Sequence, residues 1–221
     1  MLIIFDCDGV LVDSEIIAGR TLQLYLEEIG FPLIITEDRH NQFHGLTLKK
    51  IREYLEKAAG HSLPKNFESE LRHRDKIAFR RYLRAIPGVH ETVPSLLQSK
   101  CVASSGSQDK IHHSLRITGL LEFFSPHLFS AGDPGIMRGK PAPDLFERAA
   151  KEMGFRPEQC IVVEDSVAGV EAGLAARMFT IGFTGGAHCG VGHGEKLRSA
   201  GAHEIIEHIT SLPSVIELVE K

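Results

Sequence analysis

The chain opens on an unbroken apolar run, Leu2-Ile3-Ile4-Phe5, that stops at Asp6. A short run without polar alternation is the pattern of a strand buried on both faces. Similar runs recur at Cys101-Val102-Ala103, Ile161-Val162-Val163 and Met178-Phe179-Thr180-Ile181. Around them the apolar positions change to helical spacing. Leu145, Phe146, Ala149, Ala150 and Met153 follow Pro141 and Pro143, and Val167, Val170, Leu174 and Ala175 follow Ser166, a residue suited to cap a helix. Strands alternating with helices imply right-handed βαβ units and a Rossmann-like parallel sheet with helices on both faces, an α/β fold.

Residues 15–86 depart from this rhythm. Ala18, Leu22, Tyr25, Leu26 and Ile29 mark one helix, ended by Gly30 and Pro32. Leu48, Ile51, Leu55 and Ala58 mark a second, ended by Gly60, and Phe67, Leu71, Ala78 and Tyr82 a third, before Pro87-Gly88. Helix without strand over this length predicts an all-α domain, residues 15–86, inserted into an α/β core made of residues 1–14 and 87–221.

Composition narrows the class. Of the 221 residues 43% are apolar, too many for a disordered chain. No apolar run approaches the roughly 18 residues of a membrane span, and Leu2–Phe5 is shorter than the roughly 7 residues of a secretory core. Cys7, Cys101, Cys160 and Cys189 are scattered and read as small buried hydrophobes in a reducing compartment, so the cytoplasm is the expected location. A net charge of -4 argues against nucleic acid as a partner. The charge is uneven: residues 15–86 hold 13 Lys and Arg against 10 Asp and Glu, and the remainder 12 against 19. A basic segment beside an acidic body suits an anionic substrate held next to a cation.

The chemistry follows from what comes after each strand. Sites in open α/β sheets form beyond the carboxyl ends of the strands. The first predicted strand runs into Asp6-Cys7-Asp8-Gly9, the second into Ser104-Ser105-Gly106-Ser107, and the run Ile161–Val163 into Glu164-Asp165-Ser166. Lys140 precedes Pro141-Ala142-Pro143 at the start of a helix. Crowded carboxylates repel one another unless a cation lies among them, and hard oxygen donors suit Mg2+. A hydroxyl at Ser104, with Ser105 as its alternative, and the Lys140 ammonium would hold the remaining oxygens of a phosphoryl group. Phosphoryl transfer, a matter of positioning and charge neutralisation, needs this set.

These four motifs, in this order over the whole chain, resemble those of the haloacid dehalogenase superfamily, in its β-phosphoglucomutase-like subgroup with a helical cap at residues 15–86. The resemblance implies that Asp6 attacks phosphorus to form an aspartyl-phosphate and that Asp8 acts as general acid and base. It implies Mg2+ held by Asp6, the Asp8 carbonyl and Asp165, with Glu164 as a further ligand or a neighbour. Ser104 and Lys140 would grip the phosphate, Ser105 and Gly106 adjoin it, and Gly9 would turn the backbone toward it. Gly45, Thr47 and Lys49 or Lys50 of the cap would face the substrate. Further cues, Asp13-Ser14-Glu15, Ser104-Ser105-Gly106-Ser107 running into Lys110-Ile111-His112-His113-Ser114, and Asp165-Ser166-Val167-Ala168-Gly169, are similar to those of phosphatases acting on sugar phosphates, the 6-phosphogluconate type among them. The expected partner is therefore a small phosphorylated metabolite.

Other readings predict different residues. A dehalogenase lacks the second aspartate, and a phosphonate hydrolase uses a cap lysine as Schiff base. A β-phosphoglucomutase-type mutase carries a histidine and an arginine at positions occupied here by Ala18 and Leu48. A non-catalytic module that binds a phosphorylated ligand has no need of Asp8 beside Asp6. The glycine-rich stretch Gly185 to Gly194 lacks the Gly-Lys-Ser/Thr of a phosphate-binding loop. It is expected to form a loop after the fifth strand at the edge of the site, in preference to a soft metal site made by His188, Cys189 and His193. His112 and His113 are expected to be exposed.

Overall fold

The computed structural model describes residues 1–32, 43 and 46–220. Its centre is a parallel sheet of six strands: β1 (Leu2–Phe5), β2 (Ser99–Ser104), β3 (Leu128–Ser130), β4 (Cys160–Glu164), β5 (Phe179–Phe183) and β6 (Glu204–Ile206), in the order β3-β2-β1-β4-β5-β6. The strand order reverses at β1, which pairs with β2 on one side and β4 on the other. In register, Phe5 lies between Val102 and Val163, so the residues that follow all three strands emerge at one edge. The short outer strands β3 and β6 were not marked by any apolar run.

Side chains alternate across this sheet as a two-residue period requires. Ile3, Phe5, Val102, Ile161 and Val163 enter one apolar core with Val89, Val93, Ile111, Leu115, Leu212 and Ile216 from helices α4 (Val89–Ser95), α5 (Gln108–Ile117) and α9 (Leu212–Val219). Leu2, Ile4, Cys101, Ala103 and Val162 enter the other, with Leu145, Phe146 and Ala149 of α6 (Asp144–Glu152) and Ala172 of α7 (Val167–Ala175). Burying a side chain of this size stabilises the fold by about 1.5–3 kcal/mol. Cys7, Cys101 and Cys160 are buried as expected, and Cys189 is half-buried.

Between β1 and α4 lie α1 (Glu15–Glu28), α2 (Leu48–Ala59) and α3 (Phe67–Tyr82). They have an apolar core of their own that includes Leu22, Tyr25, Leu26, Leu55, Phe67 and Leu71. Tyr25 stacks on Phe67 at 5.6 Å. Arg74 covers the Tyr25 ring at 4.5 Å and forks onto Glu28 at 2.7 and 2.9 Å. The end of α3 turns the other way, since Phe79 and Leu83 join the core of the sheet. The chain segments on either side of the insertion run together: Val12 bridges Ala85 antiparallel, the Asp13 N–H donates to the Arg84 carbonyl, and the Ile86 N–H donates to the Leu11 carbonyl. Among the described residues no helix is long and apolar enough to cross a membrane.

Candidate active site

Asp6 follows β1 directly and is 6% exposed. Lys140, at the start of the segment leading into α6, reaches it from below: Nζ lies 2.5 Å from Asp6 Oδ1, 2.6 Å from Glu164 Oε1 and 3.3 Å from the Ala103 carbonyl. Its side chain has no exposure, and the ring of Phe146 sits 4.9 Å from the ammonium. The other oxygen of Glu164 accepts from the Ser166 N–H and hydroxyl at 2.8 and 2.9 Å. Ser166 in turn caps α7 by accepting from the Gly169 N–H. Glu164 is thus fixed on both sides, by the ammonium and by a helix cap.

Asp6, Glu164 and Asp165, all buried, offer oxygens within 4.8 Å of one another, a set that suits a hard divalent cation. Burial, opposed by Lys140 and reinforced by Glu164, Asp165 and Asp8, holds the Asp6 carboxyl well above the usual carboxylate range. Burial and the Glu164 charge do the same to Asp165. The excess of negative charge is what a cation there would neutralise.

Asp8 faces the opposite balance. Ser14 donates to its Oδ1 at 2.6 Å, and Lys110 Nζ on α5 lies 2.8 Å from Oδ2. Burial would raise Asp8, but the charge and hydrogen bond of Lys110 and the Ser14 hydroxyl hold its carboxyl below the ordinary range. Glu15 beside them is pushed up to about 8 by burial and the Asp8 charge. Ser104 is buried and its Oγ accepts from the Gly106 N–H at 3.0 Å. A Cβ added at Gly106 would lie 3.4 Å from Ser104 Oγ and 3.6 Å from Asp8 Oδ2, so the motifs after β1 and β2 meet there. Gly9 has φ 79°, and a Cβ on it would fall 1.9 Å from Asp165 Oδ2; the turn needs glycine for conformation and for space.

A cavity of about 700 Å3 opens over these groups, bordered by Asp6, Asp8, Ser104, Ser105 and Gly106 below and by Thr47, Lys49, Arg72 and Asp75 of the insertion above. Lys49 is exposed at its rim. The Thr47 hydroxyl caps α2 by accepting from the Lys50 N–H. Of the two lysines, Lys49 or Lys50, expected to face a substrate, Lys49 borders the cavity, whereas the Lys50 ammonium donates to the Lys140 carbonyl at 2.9 Å. Gly45 lies outside the described residues. His112 and His113 were expected to be exposed but both are half-buried, and His113 lines this cavity, because α5 turns that face toward α3.

The sequence cues took in Glu15 and Lys110 without giving either a role, and passed over Asp75. The signal for Lys110 is its place on the helix that begins just after the Ser104 motif, and that for Glu15 its place directly after Asp13-Ser14. The glycine-rich stretch lies beside the site as expected, with the Ala187 N–H donating to Asp13 Oδ1 at 3.1 Å, but its end is helical from His193 onward in α8 (His193–Ser199).

Residues 1–177 match the haloacid dehalogenase-like hydrolase family. A 6-phosphogluconate phosphatase of Escherichia coli strain K12 is 37% identical over 188 residues, covering 84% of this chain and 83% of its own. A phosphorylated carbohydrates phosphatase of Thermotoga maritima is 30% identical over 210 residues, 93% of each chain. The crystal structure of a conserved haloacid dehalogenase-like protein of unknown function from Agrobacterium tumefaciens superposes with a TM-score of 0.84 at 38% identity, over 100% of this chain and 99% of that one. Family match, relatives and shared architecture together place this chain in the haloacid dehalogenase-like hydrolases.

Proposed function

We propose that the chain is a Mg2+-dependent phosphatase of small phosphorylated carbohydrates, sugar-acid phosphates such as 6-phosphogluconate among them. The observation that carries this reading is the meeting of Asp6, Lys140, Glu164 and Asp165 at the end of β1, with Asp8 and Ser104 on the cavity side. The names of the two phosphatase relatives support the substrate class. Mg2+ would be held by Asp6 and Asp165, and by the Asp8 carbonyl, with Glu164 at hand; it would supply the positive charge that lets two anions approach.

The Asp6 carboxylate forms a bond to phosphorus as the ester oxygen leaves, giving an aspartyl-phosphate. Asp8 gives a proton to the departing alcohol oxygen and then takes one from the water that attacks phosphorus, which restores Asp6 and frees phosphate. In the free protein Lys110 keeps Asp8 ionised. A phosphoryl group beside Asp8 adds negative charge, which raises its affinity for the proton it must donate. Lys140, held rigid by Glu164, and the Ser104 hydroxyl neutralise the non-bridging oxygens. Glu164 serves chiefly to orient that lysine.

Residues 15–86 act in this reading as a cap over a core of residues 1–14 and 87–221. Their separate apolar core, the cavity beneath them and the Lys50 contact support it. The mutase alternative lacks its imidazole and guanidinium: Ala18 and Leu48 border the cavity with apolar side chains.

Phosphate release from 6-phosphogluconate and a panel of sugar phosphates tests the reading, with Mg2+ present. Asp6→Asn should lower turnover by at least about a thousandfold. Undiminished turnover in that variant would reject the covalent route. Conversion of β-glucose 1-phosphate to glucose 6-phosphate without free phosphate would establish a mutase instead.

A further inference from the structure

His188, Cys189 and His193 play no part in that hydrolysis, yet they are gathered at its edge. One nitrogen of each imidazole and the Cys189 sulfur lie within 4.8 Å of one another. Cys189 Sγ is 3.3 Å from His188 Nε2, and the two rings meet edge to face at 5.8 Å. His188 Nε2 also lies 2.9 Å from Asp165 Oδ2, which brings a carboxylate oxygen to the group. Successive tight turns assemble it: the Cys189 N–H donates to the Gly186 carbonyl at 2.9 Å and the His193 N–H to the Gly190 carbonyl at 3.1 Å.

His193 Nε2 donates to the Asp165 carbonyl at 2.6 Å. That bond selects the tautomer whose Nδ1 carries a lone pair, the kind of backing that ligating histidines normally have. Cys189 and His193 border a second cavity of about 600 Å3, which shares no lining residue with the main one and gives separate access.

Two imidazoles, a thiolate and a carboxylate are the donors of tetrahedral zinc sites, whereas Mg2+ prefers oxygen alone. We propose that His188, Cys189 and His193, with Asp165 as fourth donor, form a second cation site that takes Zn2+ or a similar borderline ion in preference to Mg2+. Cys189 gives up its thiol proton to the solvent when the ion binds. Because Asp165 also belongs to the acidic cluster, an ion in the softer site draws it away from Asp6 and Glu164. Zn2+ then inhibits from beside the hydrolytic centre. That consequence rests on the phosphatase reading; the binding does not.

Co2+ titration of the metal-free full chain tests the site by absorption. The expected result is one saturable sulfur-to-cobalt charge-transfer band per chain, abolished in Cys189→Ser and weakened in His193→Gln, with Zn2+ displacing the cobalt. The wild-type chain gives an independent measure, since the other three cysteines are buried. Zn2+ should slow labelling of Cys189 by a thiol reagent at least tenfold, and Mg2+ should not. Zn2+ should also inhibit Mg2+-supported phosphate release in the wild type at concentrations that leave Cys189→Ser active. An undiminished band in Cys189→Ser, or labelling indifferent to Zn2+, would overturn the site. Equal inhibition of both forms would overturn the link through Asp165. A normal band in a chain without phosphatase activity would count against the hydrolytic reading alone and leave the zinc site standing.

Discussion

Gly169 carries no functional group, yet it sets the position of one that does. A Cβ there would fall 1.9 Å from the Glu164 carboxyl, inside the contacts that orient Lys140 and Ser166. Gly169→Ala should therefore destabilise the protein by about 1–3 kcal/mol, the usual cost of overpacking, and lower kcat along with it. Urea unfolding with parallel kinetics checks this; an unchanged midpoint would show that Glu164 can move freely. The residues most legible in the sequence were those whose position along a strand fixes where they emerge, Asp6, Asp8, Ser104, Glu164 and Asp165. Lys110 was not, because a lysine on an amphipathic helix looks the same whether it faces water or a carboxylate. The partner of Lys50 was equally hidden, since a backbone carbonyl ninety residues away has no sequence signature.

Among the elements, α2 and α3 join the two parts of the molecule in different ways. Helix α2 does so through the polar contact of Lys50 with the Lys140 carbonyl, and α3 by burying Phe79 near its end. If the insertion is a cap, Lys50→Met removes a closing contact while leaving the apolar core of the helices intact. A half-exposed charged hydrogen bond of this kind is worth about 1 kcal/mol, so KM should rise about fivefold with little change in the melting temperature. An unaltered KM would show that this contact has no part in substrate retention. The long helices and the central strands were readable because their apolar spacing repeats over several turns or fills a whole buried strand. Strands β3 and β6, of three residues each, are too short for any periodicity to show.

For the whole molecule, stability should depend on pH through Asp75. This residue is 8% exposed, and its Oδ1 meets no hydrogen-bond partner among the described residues. Burial pushes its carboxyl up to about 7, against the pull of Lys110 and with the push of Asp8. The folded state therefore holds the Asp75 proton more tightly than the unfolded chain. That contribution is fully present below about pH 4, where both states are protonated, and is lost as pH rises through about 7. Asp75→Asn should flatten the loss between pH 5 and 8 and leave the variant more stable than the wild type at pH 8, by up to about 3 kcal/mol. Chemical denaturation at both pH values measures it; parallel curves for the two proteins would assign the pH dependence elsewhere.

Val12 gives the architecture a mechanical consequence. It is bridged to Asp8 on one side and to Ala85 on the other, so the outgoing and returning passages of the chain are laced together beside Asp8. Such a double strap fixes the separation of the two passages where they leave and rejoin the sheet. A residue inserted into the return passage would put Ala85 out of step with Val12, whose other bridge is to Asp8.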